Sequence, residues 1–258
     1  MNTDRIFLTS AIARRMILLL VLSGEVVQAQ SSHTNTAVSY LKRGKVWATK
    51  GDLERAIADY DLAIAFDPRL AEAYYHRGIA RQAKEDLDGA IADYSRVVEI
   101  NPRAEALTNR GKAWADKGEL DKAVADFNQA IRLNPRLPLS YYNRGIARQA
   151  RGDWDEAIAD YGKAIELNPR DARPYQNRGV ARTAQNDLAG AIVDFDRAIQ
   201  LNPRQAESYL NRGLAHLLQG NNPAAQKDFT KCLALNPGFK PKIEQLIREV
   251  KQQLAPKY

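Results

Sequence analysis

From residue 37 onward, apolar residues recur three or four apart in short runs, and each run closes on an Asn-Pro or Asp-Pro pair. The run ending at Leu167 shows the rule. Ala157, Ile158, Tyr161, Ala164, Ile165 and Leu167 fall on one face of a helix with a period near 3.6. Asp153 stands where an N-cap belongs, and Glu156 completes a capping box. Asn168-Pro169 ends the helix, because proline lacks the amide proton and forces its predecessor out of helical geometry. A second stripe precedes it: Tyr141, Gly145 and Arg148 mark a first helix that ends near Gly152. The pattern predicts a pair of helices, and the pair repeats.

A glycine column runs through Gly44, Gly78, Gly111, Gly145, Gly179 and Gly213, at steps of 34 residues with a single step of 33. An alanine column (Ala56, Ala90, Ala123, Ala157, Ala191, Ala225) and an aromatic column (Tyr60, Tyr94, Phe127, Tyr161, Phe195, Phe229) keep the same register, as does a proline column from Pro68 to Pro237. A fixed period of this size announces a stacked array, since one unit cannot bury its apolar face alone. Glycine and alanine fit where two helices cross at about 8–10 Å and must bring their backbones close. The strongest self-similarity spans two units: YYHRGIARQA at 74–83 matches YYNRGIARQA at 141–150, and RGK-x-WA-x-KG occurs at 43–51 and 110–118. Duplication of a two-unit block accounts for it. After the sixth unit, Ile243, Leu246, Ile247, Val250 and Leu254 repeat the stripe of a first helix, with Glu244, Arg248, Glu249, Lys251 and Gln252 opposite. This segment reads as a cap with one face to water, or as a membrane-surface helix.

With aromatic, glycine, alanine and proline columns in register over six units, the chain resembles the tetratricopeptide repeats. The resemblance implies an all-α fold, a right-handed α-solenoid of helix-turn-helix repeats with a C-terminal capping helix. The repeats are 37–70, 71–103, 104–137, 138–171, 172–205 and 206–239, and 240–258 form the cap and tail. It also implies that first helices line a concave groove that takes an extended peptide or a partner helix. The groove triplets would be Leu41-Lys45-Ala48, Tyr75-Ile79-Gln82, Thr108-Lys112-Ala115, Tyr142-Ile146-Gln149, Gln176-Val180-Thr183 and Leu210-Leu214-Leu217. A tyrosine–isoleucine–glutamine set offers flat apolar contact plus an amide; the three leucines would either meet a ligand or pack on the capping segment. Asn109, Asn143, Asn177 and Asn211 match family consensus, but the lysine and asparagine that accompany such a residue in carboxylate-clamping cochaperones are missing.

Two charge series depart from the family pattern or extend it. Arginine precedes every column glycine (Arg43, Arg77, Arg110, Arg144, Arg178, Arg212), and aspartate precedes every column aromatic (Asp59, Asp93, Asp126, Asp160, Asp194, Asp228). A guanidinium–carboxylate pair in each unit, or between neighbours, is expected; a ladder of arginines lining an anion site is the alternative. Arg69, Arg103, Arg136, Arg170 and Arg204 follow the prolines, where positive charge suits helix C-termini. They form either a solvated edge or a basic rail that steers an acidic partner.

The net charge is +7, from 38 Lys plus Arg against 31 Asp plus Glu. Because these arginines alternate with carboxylates, the excess does not point to nucleic acid. Basic residues Arg5, Arg14 and Arg15, an apolar run at Met16–Leu22 and the ending Val27-Gln28-Ala29 have the order of a secretory signal cleaved after Ala29. An uncleaved anchor and a transit peptide are the alternatives, and residues 30–36 read as a polar linker. The run is too short for a membrane span, so the mature chain is not expected to insert stably. The one cysteine, Cys232, sits in a small-residue column and excludes an internal disulfide or a cysteine metal cluster. Catalytic motifs are missing, and His33, His76 and His216 are scattered. No enzyme, cofactor or metal is expected. The reading is an exported scaffold that binds a protein or peptide in its groove; a structural part of a cell-envelope assembly, binding through its edge or convex face, is the alternative.

Overall fold

The structure, a computed structural model, describes residues 34–254. The expected signal segment 1–29, most of the expected linker and His33 lie outside the described residues. Residues 34–36, assigned to that linker by their polarity, are already helical. A helix whose outer face meets water needs no apolar period there, so its start is hidden from the hydrophobic pattern.

All regular structure among the described residues is helical, in successive pairs. Helix α1 covers 34–49 and pairs with α2 (Leu53–Phe66); α3 (Ala71–Ala83) pairs with α4 (Leu87–Ile100). Then come α5 (Ala104–Asp116) with α6 (Leu120–Leu133), and α7 (Pro138–Arg151) with α8 (Trp154–Leu167). The last pairs are α9 (Ala172–Ala184) with α10 (Leu188–Leu201) and α11 (Ala206–Leu218) with α12 (Asn222–Leu235). A short 3-10 turn, Pro237–Phe239, leads into α13 (Lys240–Leu254). The chain forms two compact units divided after Pro102: one holds repeats 1 and 2, the other repeats 3–6 and α13. Within the second, each repeat packs on the next, and the first helices α5, α7, α9 and α11 touch in sequence along one side.

The columns explain the packing. A methyl group added at Gly145 would lie 2.7 Å from Cε1 of Tyr161, and one at Gly179 would lie 2.6 Å from Cε1 of Phe195. Only glycine lets the aromatic ring of the second helix rest on the first. That ring and the column alanine then take an alanine from the first helix of the following repeat: Tyr161 and Ala157 pack with Ala181, Phe195 and Ala191 with Ala215. Gly152 caps α7 in the left-handed region at φ 86°, whereas the same place in repeat 5 holds Asn186 at φ 63°.

Asp52, Asp86 and Asp187 cap α2, α4 and α10, each accepting from a backbone N–H. The capping box expected at Asp153 does not form. Asp153 is the N-cap residue of α8, but its side chain caps nothing; its carboxylate lies 3.1 Å from Nε of Arg151 instead. A fixed positive charge two residues away outcompetes a neutral amide for the same oxygens.

Helix α13 closes the array. Ile243 and Val250 are buried with Tyr209, Leu210, Leu217, Phe229 and Cys232, and Leu246 and Ile247 pack against them. Burying two such side chains stabilises the end of the array by about 1.5–3 kcal/mol each. Cys232 is fully buried there, a small apolar residue rather than a reactive one.

Candidate functional site

Every repeat holds the expected arginine–aspartate pair, and the two residues belong to the same repeat. In repeat 4, Nε and Nη2 of Arg144 donate to Oδ2 and Oδ1 of Asp160 at 2.9 and 2.6 Å. The same two-pronged contact joins Arg43 to Asp59, Arg77 to Asp93, Arg110 to Asp126, Arg178 to Asp194 and Arg212 to Asp228. The aspartates are buried. In repeats 2, 4 and 5 a second arginine, one helical turn on, shares the carboxylate: Nη1 of Arg81, Arg148 and Arg182 donates to Oδ2 at 2.7–2.8 Å. This second donor was not foreseen, although the arginine column at 81, 148 and 182 signals it. In repeats 1 and 3 that position holds Trp47 and Trp114, which instead lie under cations, Arg55 at 4.7 Å and Lys122 at 4.6 Å. Nε and Nη2 of all six arginines are thus committed to the frame, so the column does not form a ladder of free guanidinium groups lining an anion site.

The expected groove residues divide into buried and outward-facing sets. Leu41, Thr108, Gln176, Leu210 and Leu217 are buried, so they serve packing rather than contact with a guest. Thr108 meets Ser140 of the next repeat at 2.7 Å, and Ser208 donates to Gln176 at 2.7 Å. Leu210 and Leu217 lie under α13. Tyr75 and Tyr142 are half-buried and lean on Tyr94 and Tyr161 at 6.1 Å between ring centroids. Desolvation raises the Tyr142 phenol above its ordinary pKa. The amides of Gln82 and Gln149 each accept a hydrogen bond from a column tyrosine, Tyr94 at 3.0 Å and Tyr161 at 2.8 Å. Lys45 reaches Glu72 and Lys112 reaches Asp116. Ile79 and Ile146 keep about two-fifths of their surface exposed (40% and 39%), and Val180 and Leu214 are partly exposed.

Between repeats 5 and 6 the first-helix side opens into a cavity of about 220 Å³, lined by Val180, Thr183, Ala184, Phe195, Asn211 and Leu214. Its origin is a change of two residues. Repeat 5 has Thr183 and Phe195 where repeat 4 has Gln149 and Tyr161. Thr183 is shorter and turns its hydroxyl back to the carbonyl of Gly179 at 2.9 Å, and Phe195 has no hydroxyl to bridge. The space that an amide and a phenol fill in repeat 4 is left open, walled by carbon, with the Asn211 amide at its edge.

Sequence models described as tetratricopeptide repeat match residues 71–103, 138–171 and 206–239, and those described as TPR repeat match 44–85, 111–151 and 181–220. The chain belongs to the tetratricopeptide repeat (TPR) family. No curated protein sequence matches it. Among solved structures, MamA is similar at 28% identity and a TM-score of 0.59, over 64% of this chain and 96% of MamA. PilF of Pseudomonas aeruginosa is similar at 17% identity and a TM-score of 0.72, over 86% of this chain and 99% of PilF. YrrB, a TPR protein with an unusual peptide-binding site, is similar at 22% identity and a TM-score of 0.58, over 70% of this chain and 94% of YrrB.

TPR arrays are scaffolds for protein interaction rather than catalytic folds. Among the described residues of this one, no cluster of three or more His, Cys, Asp or Glu is placed to hold a metal ion, and no helix is long and apolar enough to cross a membrane. On the edge, Arg69, Arg136, Arg170 and Arg204 are exposed; Arg103 is the N-cap residue of α5 and only partly exposed.

Proposed function

We propose that this TPR protein is an exported scaffold that holds a peptide or partner segment along its first helices, with one apolar side chain entering the cavity between repeats 5 and 6. The observation that carries this reading is the cavity itself, with carbon walls at Val180, Phe195 and Leu214 and a single amide, Asn211, at the edge. Apolar walls supply affinity, and one polar group fixes the orientation of what enters. Ile146, exposed on the first helix of repeat 4, extends the apolar strip. Export rests on the signal-like order of residues 1–29.

The test is in-cell crosslinking of the wild type and of a Thr183→Gln, Phe195→Tyr variant, which refills the cavity on the pattern of repeat 4. Loss of the crosslinked partner in the variant supports the groove; identical partners in both end it. Charge reversal at Arg136 and Arg170, both exposed, examines the second reading, an envelope component bound through its basic edge. Sequencing the amino terminus of the mature protein after fractionation checks export, and a start at Gln30 is the expected result.

A further inference from the structure

Among the described residues, no helix covers the side of repeat 1 on which a preceding repeat would pack. Two residues after the column glycine, Ala80, Ala147, Ala181 and Ala215 are at most 2% exposed. Each packs on the alanine and the aromatic of the second helix before it. The matching residue of repeat 1 is Val46, which is 50% exposed. Five residues before the glycine, Ala73, Ser140 and Ser208 are fully buried, whereas Ser39 is exposed.

The arginines tell the same story. Arg77 and Arg212 turn Nη1 to Asp61 and Asp196 of the preceding repeat, and Arg144 turns it to Asn128. Their side chains are 14%, 20% and 15% exposed; that of Arg43 is 58% exposed. Arg43 keeps its contact with Asp59, but among the described residues its Nη1 has no acceptor. Thr36, Ser39, Tyr40 and Arg43 line an open hollow of about 330 Å³ on this side.

We propose that this bare side of repeat 1 docks an amphipathic helix of a partner protein that presents a carboxylate to Nη1 of Arg43. The chain itself supplies the template for that helix. The second helices that cover later repeats carry alanine, aromatic and acid at i, i+4 and i+5: Ala56, Tyr60, Asp61 and Ala191, Phe195, Asp196. The guest follows this pattern but lies further out than a regular neighbour, because Val46 adds two methyl groups where the array has alanine. Arg43, Val46 and Lys50 form one stripe at i, i+3 and i+7. A second copy would therefore bring like charges face to face across a two-fold contact, which disfavours it as the occupant. The inference does not rest on the groove reading, since it uses none of the groove residues.

The probe is a helix-stabilised peptide of residues 51–67, which carries Ala56, Tyr60 and Asp61, titrated into the isotope-labelled full chain and followed by NMR. Saturable shifts at the amides of Ser39, Tyr40 and Val46 are expected. The same peptide with Asp61→Lys should bind at least about tenfold more weakly, because it replaces attraction with repulsion at one cation. In the protein, Val46→Gln adds bulk and an amide but no charge beside Arg43 and should weaken the unmodified peptide, while Thr183→Gln should not. No shifts at these amides up to millimolar peptide, or equal binding of the two peptides, overturns the proposal. So does a photo-crosslinker at position 39 that joins residues 1–33 of the same chain or a second copy, because the side would then already be filled.

Discussion

Repeat 4 sets the amide of Gln149 against the phenol of Tyr161, and repeat 5 sets Thr183 beside the ring of Phe195. Everything beneath these residues is shared: a column glycine under the ring, an aspartate held by two arginines, and an alanine delivered by the next repeat. The frame is made of residues that cannot change without cost. The contents of the first-helix side sit above it and change at smaller cost, so one repeat is closed and its neighbour open. In this array the open position differs from the closed one by side chains on a shared frame.

The largest effects should fall on the shared frame and treat both repeats alike. Asp160→Ala and Asp194→Ala each strand two arginines and should each cost about 3 kcal/mol in urea unfolding, as a broken, largely buried ion pair does. Asp228→Ala strands only Arg212 and should cost measurably less. A clear inequality between the first two would break the comparison.

Alkali should next separate the repeats. Burial pushes the Tyr161 phenol up, so the folded state keeps it neutral while the unfolded chain ionises near pH 10. A raised acid pKa contributes stability that is complete below that pH and lost as pH rises toward the folded value, at up to about 1.4 kcal/mol per pH unit. Tyr161→Phe should flatten the decline of stability above pH 10, and Phe195→Tyr should steepen it; urea unfolding followed by circular dichroism in alkali reads both.

Opening repeat 4 with Gln149→Thr and Tyr161→Phe removes one internal hydrogen bond and should cost about 1 kcal/mol. The same variant should gain a cavity beside Ile146 that small apolar probes enter, detectable by NMR shifts in α7. Smallest of all is the turn. Asn186 holds a left-handed backbone that glycine adopts without strain, so Asn186→Gly should change stability by no more than about 1 kcal/mol, with Gly152→Asn moving it the opposite way. Thermal unfolding of the pair decides the sign.

The frame was legible in the sequence because it repeats. Six glycines facing six aromatics at a constant offset leave one physical explanation, and six arginines matched to six aspartates point to ion pairs, within a repeat or between neighbours, with an arginine ladder for anions as the alternative. The contents were harder to read because their meaning depends on depth. Gln176 and Leu210 occupy the groove register yet are buried, Gln176 against Ser208 of the next first helix and Leu210 under α13. The open position was half visible: Val180 and Leu214 were in the expected triplets, but Phe195 belonged to the core column and Asn211 to family consensus. The signal that could have joined them is the paired change from Gln149 with Tyr161 to Thr183 with Phe195, two letters that differ together across one repeat.

The third nitrogen of the frame arginine points one way only. Arg77, Arg144 and Arg212 each reach back sixteen residues to an acceptor on the preceding repeat. The amino-terminal repeats emerge first, whether from the ribosome or after export, so each of these three arginines finds its acceptor already made. Assembly can therefore proceed in the order of emergence, with repeats 2, 4 and 6 latching onto structure that precedes them rather than waiting for the chain to end.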